Sequence, residues 1–353
     1  VLTWHEPVAG ERHALRFAVR SAGTWSAPAT IRESERFFVN WADFPSLLET
    51  GSGLWLVHWL EKTAARPYAY HVMLAISRDQ GRTWSPPFRA HSDESPTEHG
   101  FVAMSQDRQG GAVLMWLDGR NMQGEERGAM TVHAVRLDAN GVLGDEVLVD
   151  DRVCECCQVA MTRTASGLIA AYRDRSEVEI RDIAVVRQVN GRWSEPRVVA
   201  PDGWEIRGCP VNGPALAAEG DTVLLVWYTG AAQEPRVYAA VSRDGGATFG
   251  PRVRVDQGNT LGRVHAAAIG NGAFVVAWLD RHGASDAVWR VRRIAATGRT
   301  GPARDIATVS AVRQAGFPRL AWTGESLLLA ITATGEGGRV QVYRLDDVAS
   351  ALR

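Results

Sequence analysis

The chain has 353 residues, a formal net charge of −1, 45% hydrophobic residues and 22% charged residues. Charge balance without a basic excess excludes a nucleic-acid partner, which needs cations to neutralise phosphate. No apolar run approaches the roughly 18 residues that a membrane span requires, and abundant Gly (35) and Trp (13) point to short strands joined by tight turns. The sequence opens at Val1 without a basic or apolar leader. It is read as a mature chain whose signal peptide has been removed, acting outside the cytoplasm as a periplasmic or secreted protein.

In chain order, the first predicted elements are an outer-strand pair, "ALRFAVR" and "TWSAPATI". A repeat then begins. A polar loop runs into a short apolar strand six times, with Pro45, Val102, Val159, Pro214, Ala267 and Pro318 as equivalent positions at steps of 57, 57, 55, 53 and 51 residues. Each copy continues through a Gly turn into an apolar strand ending in an aromatic, as in "GAVLMWLDGR" and "GLIAAYRDR". An alternating strand and a turn of the "GRTWSPP" type follow. Self-similarity at this period predicts four-stranded antiparallel units stacked radially. The expected fold is a single all-β domain over 1–353, a six-bladed β-propeller. The N-terminal strand is expected to complete the last blade, which ends in "RVQVYRL".

Two turns carry a more specific signature. "SRDQGRTW" contains Ser77, Asp79, Gly81 and Trp84; "SRDGGATF" contains Ser242, Asp244, Gly246 and Phe249. These resemble the Asp-box of the bacterial sialidase (BNR-repeat) superfamily. The resemblance implies a structural hairpin lock at the blade edge and, for the chain, a sialidase-like propeller. Sialidases of this fold bind a substrate carboxylate with arginines, pair a Tyr nucleophile with a Glu, and add an Asp acid/base. The stretch "RFFVNWADFPSL" lacks the Arg-Ile-Pro motif that the family carries ahead of its first Asp-box. The catalytic set is therefore not transferred position by position.

Loops entering the innermost strands, and those joining second to third strands, share one face of a propeller, and function concentrates on such loops. The candidates there are an acid/base set (Glu98, Asp118 and Asp43) and a nucleophile (Tyr172 or Tyr228) beside Glu179. Arg120, Arg173, Arg175 and Arg263 would bind a carboxylate, because a guanidinium fork matches that group. Trp41, His99 and Asn212 complete the binding set. The aromatics that recur at one position, Trp59, Trp116, Tyr172, Trp227 and Trp278, are read as packing rather than as a ligand platform. The expected substrate is an acidic sugar or glycan. Composition does not fix the oligomeric state.

All four cysteines fall in two entry loops: Cys154, Cys156 and Cys157 in one, Cys209 in the next. They are expected to meet. Disulfide bonding suits an extracytoplasmic enzyme. A thiolate site for copper or zinc is the alternative, and would make the chain a non-catalytic binding propeller. Redox-active thiols beside Arg152 and Arg207 are a third reading. The enzyme reading itself requires no cofactor.

Overall fold

The computed structural model describes residues 1–122, 128–334, 338–346 and 348. It divides into two compact units, Val1–Glu155 and Cys156–Arg353. Among the described residues its regular structure is strand, joined by turns and loops, with two three-residue 3₁₀ turns at Ala231–Gln233 and Arg313–Ala315.

The first unit holds three main sheets. Ser46–Glu49, Trp55–Lys62, Tyr70–Ser77 and Phe88–Arg89 form one in sequential order; His99–Gln106, Ala112–Asp118, Met130–Leu137 and Leu143–Val153 form the next. Both are antiparallel meanders. The second strand of each lies in the middle of the layer: seven of eight residues in WLVHWLEK and all seven in AVLMWLD are buried. Burial on both faces explains why these strands read as continuous apolar runs rather than alternating ones. Leu56, Leu74, Leu114, Trp116 and Leu137 join the two sheets in one core.

The second unit repeats the plan. Sheets begin at Ala160–Arg163, Ala215–Glu219, Thr260–Gly270 and Arg319–Trp322. Their cores centre on Ile169, Val223 and Trp227, on Phe274, Val276 and Trp278, and on Val275, Trp289 and Leu329. Five of the six inner strands start within three residues of the positions named from the repeat, and the fifth, Thr260–Gly270, starts seven residues ahead of Ala267.

The expected count is corrected by the N-terminus. Among the described residues there are seven main sheets, not six. Leu2–Ala9 pairs with Arg12–Ala18 across a tight turn at Gly10, and Ala29–Ser34 completes that three-stranded sheet. Leu2–Ala9 is a strand that the repeat does not announce, because "LTWHEPVA" has no counterpart elsewhere. It pairs with the edge of Arg12–Ala18 that was expected to close the last blade. The C-terminal sheet keeps its own three strands, Arg319–Trp322, Leu327–Ala333 and Arg339–Leu345.

The two signature turns have the same hydrogen-bond geometry. Ser77 Oγ donates to Asp79 Oδ1 at 2.8 Å and accepts the Gly81 N–H at 2.8 Å, while Asp79 accepts the Thr83 N–H at 2.9 Å and its hydroxyl at 2.7 Å. Ser242, Asp244, Gly246 and Thr248 repeat this set at 2.7, 2.8, 2.8 and 2.6 Å. Donors converging on each carboxylate pull Asp79 and Asp244 down to about 2. Gly81 and Gly246 both take φ +86°, the left-handed region that costs glycine least. Trp84 and Phe249 pack on the cores beside their turns.

Candidate active site

Three ionisable groups of the first unit meet at the start of two strands. Tyr70 opens Tyr70–Ser77, and Glu98 immediately precedes His99–Gln106. A backbone bridge joins Tyr70 to Glu98, and the Tyr70 N–H donates to Thr97 O at 3.1 Å. That register brings the side chains together: the Tyr70 hydroxyl donates to Glu98 Oε1 at 2.6 Å. Phe38 stacks on the Tyr70 ring, 4.0 Å between centroids and 19° from parallel.

Asp43 arrives from the preceding loop. Asn40 Oδ1 accepts the Ala42 N–H at 2.8 Å, a side-chain turn that sets the chain direction just before Asp43. Trp41 lies half-buried in this turn. Asp43 Oδ2 accepts the Phe101 N–H at 2.7 Å. Phe101 has φ 53°, and the pairing register slips between Gly100 and Ala103. A bulge of this kind re-aims backbone and side chains locally. Gly100 admits the carboxylate: a Cβ there would stand 2.2 Å from Asp43 Oδ2 and 3.0 Å from the Tyr70 ring.

The electrostatics of this cluster are those of acids crowded by burial and by one another. Burial pushes Asp43 up to about 8, against the Phe101 hydrogen bond and with help from Glu98. Burial pushes Glu98 up to about 7, and the negative charge of Glu155 adds to it. Tyr70 is raised well above its ordinary value by burial and by the two acids. Both carboxyls are thus shifted toward their protonated forms, Asp43 further than Glu98, which sets an acid beside a potential base.

A second polar cluster lies behind Glu98. His99 is fully buried; its Nδ1 faces Tyr70 O at 3.0 Å and Thr97 O at 3.2 Å, and its Nε2 faces Asp93 Oδ2 at 2.9 Å and Asp118 Oδ1 at 3.6 Å. His91 stacks on His99, 4.0 Å apart and 3° from parallel, and His71 lies 5.2 Å from His99. Asp118, expected as a general acid, has both oxygens engaged. It accepts the Trp116 indole N–H at 2.8 Å, the Arg120 N–H at 3.0 Å, and the guanidinium at 2.8 and 2.6 Å. Burial opposes ionisation, but Arg120, His99 and Trp116 outweigh it and hold the carboxyl far below its usual range. Arg120 also pairs with Glu146, which in turn lies 2.8 Å from His133 Nδ1. Arg120 is thus matched by two acids of its own chain.

The remaining expected residues lie in the second unit, where several converge in a different role. Arg173 is buried. It donates to Asn212 O at 3.2 and 2.8 Å, to Arg181 O at 2.6 Å and to Tyr228 O at 2.7 Å, with its guanidinium 4.8 Å over the Trp204 ring. Arg263 donates to Val312 O and Gly316 O, and its backbone N–H reaches Asn212 Oδ1 at 2.7 Å. Burial, with Arg313 nearby, lowers it to about 10. Glu179, expected to activate a tyrosine, is held instead by Arg175 at 2.6 Å and Arg181 at 2.8 Å, and these cations bring it down to about 2. Tyr172 is wholly buried, and Tyr228 is raised by burial. Trp59, Trp116, Tyr172, Trp227 and Trp278 are at most 1% exposed, as their packing role requires.

Cys156 and Cys209 form a disulfide. Cys154 and Cys157 are buried outside it.

No family model matches the sequence, and no curated protein matches it. Solved structures do. A variant of NanB sialidase from Streptococcus pneumoniae aligns over 86% of this chain and 68% of its own, at 10% identity and a TM-score of 0.53. The chain has a sialidase-like β-propeller fold. A leech intramolecular trans-sialidase (87% and 68% covered, 11% identity, TM-score 0.54) has it too. So does an α-L-arabinofuranosidase of Fusarium graminearum, with 86% of this chain and 92% of that one covered, 13% identity and a TM-score of 0.56.

Sequence reading reached Asp43, Glu98 and His99 but not Tyr70. In "RPYAYHVML" the tyrosine opens a third strand rather than a loop, so a search confined to entry loops passes over it. The tight Tyr70–Glu98 pairing depends on register between strands, which sequence spacing does not give.

Proposed function

We propose that this chain is a glycoside hydrolase of sialidase type whose reacting groups are Tyr70, Glu98 and Asp43. The observation that carries the reading is the hydrogen bond from the Tyr70 hydroxyl to Glu98. Glu98 takes the phenol proton as the Tyr70 oxygen attacks the anomeric carbon, and protonated Asp43 delivers a proton to the departing oxygen. Water then releases the sugar by the reverse proton transfers. A neutral phenol is suited to an anomeric centre that bears a carboxylate, where an anionic nucleophile would be repelled. This favours an acidic sugar, consistent with neighbours named as sialidases.

One observation favours a second substrate class. Arg173, Arg175 and Arg263 are engaged by acceptors of the chain itself, and the charges acting on Glu98 and Asp43 are negative. A neutral furanoside, as for the neighbour named an arabinofuranosidase, avoids that repulsion.

Fluorogenic sialosides and arabinofuranosides assayed side by side separate the two. Turnover of either is expected to fall at least about 100-fold in Tyr70→Phe, in line with loss of a positioned reacting group. The alkaline limb of kcat/KM is expected near pH 8 and to disappear in Asp43→Asn, because the acid form of Asp43 is lost there. A folded chain that turns over neither substrate class sinks the proposal.

A further inference from the structure

Behind the Tyr70–Glu98 pair, one fully buried ring touches both strand ends. His99 follows Glu98 in an extended segment, so its side chain leaves the chain on the opposite side from the Glu98 carboxyl. Its Nδ1 lies 3.0 Å from Tyr70 O and 3.2 Å from Thr97 O. Thr97 O also accepts the Tyr70 N–H at 3.1 Å. The ring therefore closes the same backbone junction that brings the phenol to the carboxylate.

The hydrogen bonds fix the charge of this ring. Carbonyl oxygens only accept, so Nδ1 carries a proton. Nε2 faces Asp93 Oδ2 at 2.9 Å and Asp118 Oδ1 at 3.6 Å. Burial opposes ionisation of Asp93, but the Ser95 hydroxyl and His99 outweigh it and lower its carboxyl. Asp118 is held as an anion by Arg120, His99 and Trp116. A nitrogen facing two anions carries a proton, so His99 is an imidazolium. Its neighbours are neutral. His91 Nδ1 donates to Asp93 O at 3.0 Å, and its Nε2 accepts the Val72 N–H at 3.3 Å. The His91 ring lies parallel to His99 at 4.0 Å, a neutral face against a cation. Burial, and then the charge on His99, lower His91 to about 2 and His71 to about 4.

We propose that His99, an imidazolium anchored on Asp93, is a positioning residue for the Tyr70–Glu98 pair: its Nδ1–H fixes the Tyr70 and Thr97 carbonyls, and with them the spacing of phenol and carboxylate. Asp93 and Asp118 hold the far end of the ring. Turning the ring would break both carbonyl bonds and leave buried N–H groups without acceptors, which costs more than the bonds themselves contribute. The kinetic consequence rests on the hydrolase reading; the alignment does not.

Two substitutions separate the ends of the ring. Asparagine carries its amide nitrogen where histidine has Nδ1, and glutamine carries it where histidine has Nε2. His99→Asn therefore keeps a donor for Tyr70 O and Thr97 O, whereas His99→Gln keeps a donor for Asp93 alone. Both remove the same charge, so a merely structural role predicts the same turnover per folded molecule in each. The readouts are the NMR titration of the Glu98 carboxyl carbon and turnover of the fluorogenic glycosides. Burial raises Glu98 and the Tyr70 hydrogen bond lowers it, so losing that bond in His99→Gln should move Glu98 above its value of about 7. In that variant kcat is expected to fall about 30-fold or more with KM within about twofold. His99→Asn is expected to leave Glu98 where it is and to keep kcat within about threefold of wild type. The same Glu98 titration and the same kcat in both variants overturn the proposal, as does a shifted Glu98 in His99→Asn. Should His99→Gln fail to fold, His99→Asn decides alone by the same two readouts. A wild-type chain that turns over neither substrate class removes the hydrolase reading, and the Glu98 titration still decides the alignment. A proton–nitrogen spectrum at neutral pH with one ring N–H on His99, rather than two, overturns the imidazolium.

Discussion

The acid–tyrosine cluster of the first unit and the arginine cluster of the second contain the kinds of residue that glycosidase chemistry calls for, and they are built in opposite ways. Arg173 and Arg263 donate to backbone carbonyls, Arg173 also lies over a ring face, and Glu179 sits between two cations. Around Tyr70, Glu98 and Asp43 the neighbours are acids or apolar rings, and both carboxyls are raised toward neutrality. Residue type alone does not separate these cases. A charged group poised for reaction is one whose own chain has left it imperfectly compensated; a charged group matched on all sides is holding structure together.

The sharpest way to break this contrast is Arg173→Met. If the arginine is structural, its carbonyl partners lose their donor in a buried setting, and unfolding in urea should show a loss of about 3–5 kcal/mol. Turnover per folded molecule should barely change. A variant that folds normally but fails to bind an acidic sugar would reverse the assignment.

Opening the Cys156–Cys209 disulfide is expected to cost about 2–4 kcal/mol, because it closes a loop between residues 53 apart. Thermal melts with and without reductant, and of Cys209→Ser, measure it. Preserved stability under full reduction would remove the bridge from the account of the second unit.

Asp43→Asn tests the other side of the comparison. The folded Asp43 is raised from 3.8 to about 8. A raised group favours the fold below its unfolded value and loses that contribution as pH climbs toward the folded one. The Asp43→Asn variant should therefore match wild type near pH 4 and exceed it in Tm by a few degrees at pH 9. Equal melting at both ends of the range would mean that Asp43 is not held in the way described.

The smallest effects belong to the signature turns. Asp79→Ala and Asp244→Ala should each lower Tm slightly and by similar amounts, since their bonds are the same, with turnover untouched. Unequal effects would show that matching geometry conceals different loads.

Much of the fold could be read from the repeat, because six copies of one strand-turn pattern demand six similar sheets. The seventh sheet could not, since Leu2–Ala9 pairs with its own neighbour and resembles nothing else in the chain. The site was legible in part. Asp43 and Glu98 occupy entry loops that the repeat marks out. Tyr70, His71 and His91 become visible only when register and packing are known, and in the arginine-rich "YRDRSEVEIRD" residue type does not reveal that Arg175 and Arg181 pair with Glu179 while Arg173 donates to carbonyls beyond the hairpin.

Gly100 carries a consequence beyond its own turn. A methyl group at this position and the carboxylate of Asp43 cannot occupy the same space. The two residues, far apart in the chain, therefore form one unit of change. A descendant that discards the acid is free to fill position 100, and one that fills position 100 must first move the acid. Among homologues, glycine at one position and aspartate at the other should be inherited together or lost together. Their joint loss would mark where in the lineage the proposed chemistry ended.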